Sequence, residues 1–313
     1  MPSPAIAART RRCALAAGLV TGLALSGCAG AGAGTERAAE PDDPRPVVLT
    51  TFTVLADMAR SVAGDALRVE SLTKPGAEIH GYEPTPGDLV RAADADLIID
   101  NGLHLEAWFE QFVEGLDVPH VVASAGIEPI PVGDGAVNPH AWMSPVAAET
   151  YVDNLVAAFS RLAPEHAEEF AARGAEYRAE LRRVADELRA AIAEVPTAAR
   201  VLVSCEGAFS YLARDLGLDE AYIWPVNAEQ QATPRRIAAV IDTVRERDVP
   251  AVFCESTVSD RPMQRVVDSS DAVYGGVLYV DSLSEPGGPV PTYLDLLRVD
   301  AERITAGLAG GAA

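Results

Sequence analysis

Short apolar runs closed by turn residues alternate along this chain with stretches whose apolar side chains recur every three or four positions. Runs of the first kind occupy residues 47–51, 67–72, 97–100 and 120–122, and the stretch 54–63 carries the helical spacing. The alternation resumes at residues 201–204, 221–224, 251–254 and 273–280, with helices beginning near Phe209, Thr233 and Pro262. Strands that alternate with helices predict parallel sheets covered by helices on their faces. The chain therefore reads as α/β, with two similar lobes.

Between the two sets lies a segment, residues 165–195, without internal proline. In it Phe170, Tyr177, Leu181, Val184, Leu188, Ile192 and Val195 fall at steps of three, four or seven. The spacing predicts one long amphipathic helix, about 45 Å from end to end. It divides the chain into an N-terminal lobe at 47–164, a rigid linker helix at 165–195 and a C-terminal lobe at 196–313. A continuous helix hinges poorly, so only modest lobe movement is expected.

Residues 1–27 have a different character. Arg9, Arg11 and Arg12 precede an apolar core at 13–25, too short to span a bilayer, and Leu25-Ser26-Gly27-Cys28 closes it. This pattern is expected of a lipoprotein signal peptide, cut before Cys28 so that its thiol carries the lipid. Residues 28–46, rich in Ala, Gly and Pro, then form a flexible tether. The expected location is extracytoplasmic, anchored to the cell membrane by an N-terminal lipid, with either the general or the twin-arginine export route.

The 313 residues carry a net charge of −21, and the leader holds three arginines and no acid, so the chain beyond it carries −24. Such acidity argues against nucleic acid as a partner and favours solubility; a monomer is expected. Of four cysteines, Cys205 and Cys254 belong to the folded part; both end apolar runs and are expected as buried thiols, with a disulfide as the alternative.

In open parallel sheets, ligands gather beyond the carboxyl ends of the strands. Four metal-ligating side chains follow predicted strands: His80 and His140 in the first lobe, Glu206 and Asp281 in the second. Two neutral imidazoles and two carboxylates offer mixed nitrogen and oxygen donors whose charge balances a divalent cation. Without the cation, two carboxylates in a low-dielectric cleft raise one another's pKa.

The segments around these residues are GAEIHGYEPTPGD at 76–88, NPHAWMSP at 138–145, SCEGAFSYLARDLGL at 204–218, FCESTVSDRPM at 253–263 and GGVLYVDSLS at 275–284. In this order, with the long helix between the second and third, the chain resembles the metal-binding solute receptors of bacterial ABC importers for manganese, zinc and iron. The likeness runs from Val47 to Leu308. It implies that His80, His140, Glu206 and Asp281 are the ligands of one divalent ion carried as cargo. It also implies a permease partner with a separate cytoplasmic ATPase; the chain itself has no Gly-x-x-x-x-Gly-Lys phosphate loop.

Two departures from the zinc-type pattern point to manganese, with ferrous iron or zinc as alternatives. The third ligand position is Glu206 rather than histidine, and residues 127–137 contain no histidine. Manganese and ferrous iron accept more oxygen donors and higher coordination than zinc, although zinc binds a given donor set more tightly. An extracytoplasmic metalloenzyme is the reading from a different class. The chain lacks a His-Glu-x-x-His helix and a clear general base beside an open metal position, so no enzymatic activity is expected.

The remaining candidates have simpler roles. His104 is expected on the cleft rim or behind the ligands as a support, His120 and His166 in structural positions, Trp142 as a shield for the site and Trp224 in the core of the second lobe. Glu255, Asp260 and Arg261 are expected as a supporting strut, not as ligands.

Overall fold

A computed structural model describes residues 43–109, 115–133, 135–226 and 232–310. The signal peptide, Cys28 and nearly all of the tether lie outside the described residues.

The first half is built on β1 (Val47–Thr50), β2 (Arg68–Ser71), β3 (Leu97–Asp100) and β4 (His120–Val122). They form one parallel sheet in the order β2-β1-β3-β4. Helix α1 (Thr53–Ala63) follows β1, and α2 (Pro86–Ala93) precedes β3. Thr85 caps α2 reciprocally with Asp88, and Pro86 supplies a preset φ at its first turn. Thus the Pro-Thr-Pro-Gly-Asp run ends the loop that carries His80. After β4, a small antiparallel hairpin of β5 (Pro131–Val132) and β6 (Ala136–Val137) leads into the loop that carries His140.

Two helices then pack side by side: α3 (Pro145–Leu162), capped by Ser144, and α4 (Ala167–Glu194). The linker helix predicted at 165–195 is α4, entered through a tight turn at Pro164–His166. Its apolar face, including Phe170, Tyr177, Leu181, Val184, Leu188 and Ile192, is buried as the spacing requires. Gly174 sits where α4 meets α3: an added Cβ would lie 2.5 Å from Val156 Cγ2.

The second half contains β7 (Val201–Glu206), α5 (Ser210–Leu216), β8 (Asp219–Trp224), α6 (Pro234–Glu246), β9 (Ala251–Glu255), α7 (Arg261–Val267), β10 (Val273–Leu278) and α8 (Tyr293–Leu308). The strands form two parallel pairs, β7 with β8 and β9 with β10. Strand β7 runs beside β9, and Cys205 and Cys254 are joined there as a disulfide with Cα atoms 4.8 Å apart. This replaces the expectation of free thiols with its disulfide alternative: each cysteine stands one position before the buried glutamate that ends its strand, and the two strands lie side by side.

Buried side chains from α1, α3 and α4 join those of β7, β9 and α8 in one continuous apolar cluster, which includes Leu55, Leu181, Leu202, Phe253 and Leu296. The described residues from Pro44 onward accordingly make one compact unit. Among the described residues no helix is long and apolar enough to cross a membrane.

Candidate metal centre

Local sequence sets each of the four candidate side chains. The Glu78 carboxylate accepts from the backbone N of His80 and of Gly81, each at 2.7 Å, and Trp108 Nε1 donates to Ile79 O at 3.1 Å. Together these bonds shape the turn that presents His80. His140 sits in an Asn-Pro-His turn: Asn138 Oδ1 accepts from the His140 backbone N at 3.0 Å and lies 2.9 Å from its Nδ1.

Glu206 ends β7, and its backbone N donates to the Glu255 carboxylate at 3.2–3.3 Å. Gly207 follows because the chain turns against β8 there; a Cβ would stand 2.7 Å from Pro225 O. Asp281 lies three residues beyond β10, and Thr257 Oγ1 donates to its Oδ2 at 3.2 Å.

These four side chains converge. His80 Nε2 lies 3.1 Å from His140 Nε2, 3.6 Å from Glu206 Oε1 and 3.9 Å from Asp281 Oδ1. His140 Nε2 is 3.7 Å from Asp281 Oδ1. Atoms bound to one ion at about 2.0–2.2 Å stand about 3–4 Å apart, so the set has the dimensions of a single cation site. His80 is 5% exposed, Glu206 and Asp281 1%, and His140 not at all.

The electrostatics fit a cation as well. Burial pushes the His80 imidazole down to about 4, against the nearby charge of Glu78, and holds His140 well below its ordinary value with help from His80. Both rings are therefore neutral at pH 7 and have lone pairs to give. Burial also pushes Asp281 up to about 7, against the Thr257 hydrogen bond, and Glu255 up to about 8. Asp281 Oδ1 is buried and accepts no hydrogen bond. An orphaned carboxylate oxygen facing two imidazole nitrogens is a cost that a divalent ion removes.

The halves of the molecule are tied around this point. Asn138 Nδ2 donates to Gly207 O at 2.7 Å, and Trp142 Nε1 donates to Val280 O at 3.1 Å. Residues two before and two after His140 are thereby bonded to the backbones beside Glu206 and Asp281. The Trp142 ring also lies 5.0 Å from that of His140, which covers the site on its inner side.

Other sequence candidates fall elsewhere. His104 is exposed, with φ of +62°, outside the cluster of donors. His120 pairs with Asp100 at 3.1 Å and His166 with Glu169 at 3.4 Å, while Trp224 is buried in the second half. Of the expected strut, only Glu255 supports a candidate ligand. Asp260 accepts from Gln264, and among the described residues no ion pair joins it to Arg261. Sequence reasoning overlooked Glu78 and Asn138, whose signal is their place two residues before each histidine. A larger cavity of about 520 Å³, lined in part by Thr53, Lys74, Arg91 and Ser284, holds none of the four.

The chain is similar to several known metal-binding proteins. The family model described as "Zinc-uptake complex component A periplasmic" matches residues 48–307. The iron-binding protein YfeA of Yersinia pestis is 49% identical over 265 residues, covering 83% of this chain and 85% of that one. The manganese-binding lipoprotein MntA of Halalkalibacterium halodurans is 30% identical over 292 residues, covering 93% and 96%. The manganese-bound periplasmic metal-binding protein of Candidatus Liberibacter asiaticus superposes with a TM-score of 0.80 at 37% identity, over 84% of this chain and 100% of the other.

Proposed function

The chain belongs to the family of the periplasmic component A of zinc-uptake complexes, and on that premise we propose that it is a lipid-anchored receptor for manganese or ferrous iron. It captures one divalent ion outside the cytoplasm and delivers it to an ABC permease driven by a separate ATPase. Cys28 carries the lipid, residues 28–46 are the tether, and lobes at 47–164 and 196–313 meet across the linker helix 165–195. His80, His140, Glu206 and Asp281 are the ligands. The supporting observation is the orphaned Asp281 Oδ1, held 3.7 and 3.9 Å from two imidazole nitrogens on the other half of the molecule.

The donor set supports manganese or iron over zinc. Two carboxylates can each bind through one or two oxygens, which allows five or six bonds where zinc takes four. Zinc remains the competing cargo, because two imidazoles also suit it and it ranks above manganese and iron in affinity for nitrogen donors. Titration of metal-free protein with each ion under anaerobic conditions tests the reading: one equivalent of manganese or ferrous iron binds, and Asp281→Ala removes it. Binding unaltered in that variant would overturn the ligand assignment.

A further inference from the structure

Glu78 brings a fifth donor beside the site. One of its carboxylate oxygens, a His80 ring nitrogen and an Asp281 oxygen all lie within 4.8 Å of one another. Donor atoms of His80, His140 and Glu206 form a second such group. The two groups share His80, and Asp281 reaches both, at 3.7 Å from His140. They also differ in depth: His140 and Glu206 are fully buried, whereas Glu78 is partly exposed.

We propose that Glu78, His80 and Asp281 form an outer station through which the cation enters and leaves the inner ligand set. This rests on the receptor reading above. A divalent ion loses much hydration energy on entering a buried site, and stepwise replacement of ligands lowers the barrier. An ion moving outward exchanges His140 and Glu206 for Glu78 and keeps His80 and Asp281 throughout. The Glu78 carboxylate is already oriented for this. Each oxygen spends one lone-pair direction on a backbone N–H, of His80 or Gly81, and each retains another for a cation. The turn that presents the ligand His80 is therefore organised by the carboxylate that first meets the ion.

The simpler role, a carboxylate that only shapes the turn, predicts different kinetics. A turn support acts on the bound state, so its loss weakens affinity mainly through faster release. A transit ligand acts on the barrier, so its loss slows entry and exit together. The test is stopped-flow tryptophan fluorescence with Mn²⁺ for association and competition with a fluorescent chelator for dissociation, on wild type, Glu78→Gln and Glu83→Gln. Glu83 is an exposed acid in the same loop and controls for the loss of one charge. For Glu78→Gln, the association rate constant should fall about tenfold, whereas loss of a turn support alone would leave association at the wild-type rate; Glu83→Gln should match wild type. Rates unchanged in Glu78→Gln, or faster release alone, would overturn the proposal.

A second measurement covers loss of the turn itself. With the inner set dismantled by Glu206→Ala, Mn²⁺ should still bind weakly, as seen by electron paramagnetic resonance, and adding Glu78→Gln should abolish that signal. Residual binding insensitive to Glu78 contradicts the outer station. Wild-type protein that binds no divalent ion would instead sink the receptor reading, and this inference with it.

Discussion

Asn138 and His140 are joined so that the proton on the histidine ring has only one place to be. Gly207 O can only accept, so the Asn138 amide nitrogen must face it, at 2.7 Å. Asn138 Oδ1 is left facing His140 Nδ1 at 2.9 Å, and Nδ1 must be the donor. The lone pair of His140 then lies on Nε2, directed at the other three candidate ligands. Asn138→Ala should lower metal affinity about 10- to 100-fold while circular dichroism of the metal-free protein stays as in wild type. Competition with a chelator of known affinity measures the change.

Asp281 bears the opposite balance in the metal-free and loaded protein. Without an ion, its buried carboxylate has an orphaned oxygen and a pKa pushed up to about 7. Asp281→Asn removes the charge at nearly constant volume. The metal-free variant should melt at or above the wild-type temperature, and the rise in melting temperature that the ion gives wild type should vanish. Thermal scans with and without Mn²⁺ read both effects.

Protons and metal compete for the same site, and the sign follows from the shifts. Burial pushes the Asp281 carboxyl up to about 7, so an ion that takes Asp281 as a ligand must displace its proton below that pH. Affinity should climb with pH up to about 7, by up to about tenfold per unit, and level off above. Metal-free stability behaves differently. Asp281 and Glu255, raised to about 7 and 8, bind protons in the folded state that the unfolded chain has already lost, so folding weakens as pH rises through those values. His80, lowered to about 4, works in the other direction between about 4 and 6.5, where the unfolded chain is protonated and the folded ring is not. Above pH 6.5 only the acids act. Urea unfolding of the metal-free protein should therefore show stability falling from pH 6.5 to 8.

The disulfide closes a separation of 49 residues between the ends of β7 and β9. The chain-entropy relation for such a loop gives about 4 kcal/mol, and mutational experience about 2–4 kcal/mol. Replacing both cysteines by serine should lower the unfolding free energy by that range, as measured by urea titration at matched metal occupancy.

Much of this architecture can be read from local sequence, because local spacing governs it. The apolar repeat of α4 appears within one residue or two of its observed ends, since a long helix with one buried face has a single consistent period. Strand boundaries are less legible. The run at 273–280 ends as a strand at Leu278, and before that its pairing with β9 shifts register between Tyr274 and Val277, across two glycines. What resists reading is whatever depends on two distant segments meeting. Nothing local to Cys205 states that β9 lies beside it, and nothing in Glu78 distinguishes a turn acid from one that faces Asp281. The four-donor set is legible because each member ends or follows a strand within a recognisable segment. Its distances, and the bonds from Asn138 and Trp142 that hold the two halves around it, exist only in the fold.

One divalent ion should sit between the two histidines and two carboxylates of this protein. The most direct test strips the chain from residue 29 onward of metal, equilibrates it anaerobically with buffered manganese, ferrous iron and zinc, and counts bound metal by elemental analysis. One equivalent of manganese or iron per chain should remain bound at modest free zinc and be lost in Asp281→Ala. Absence of bound metal, or an equivalent that survives Asp281→Ala, would contradict it.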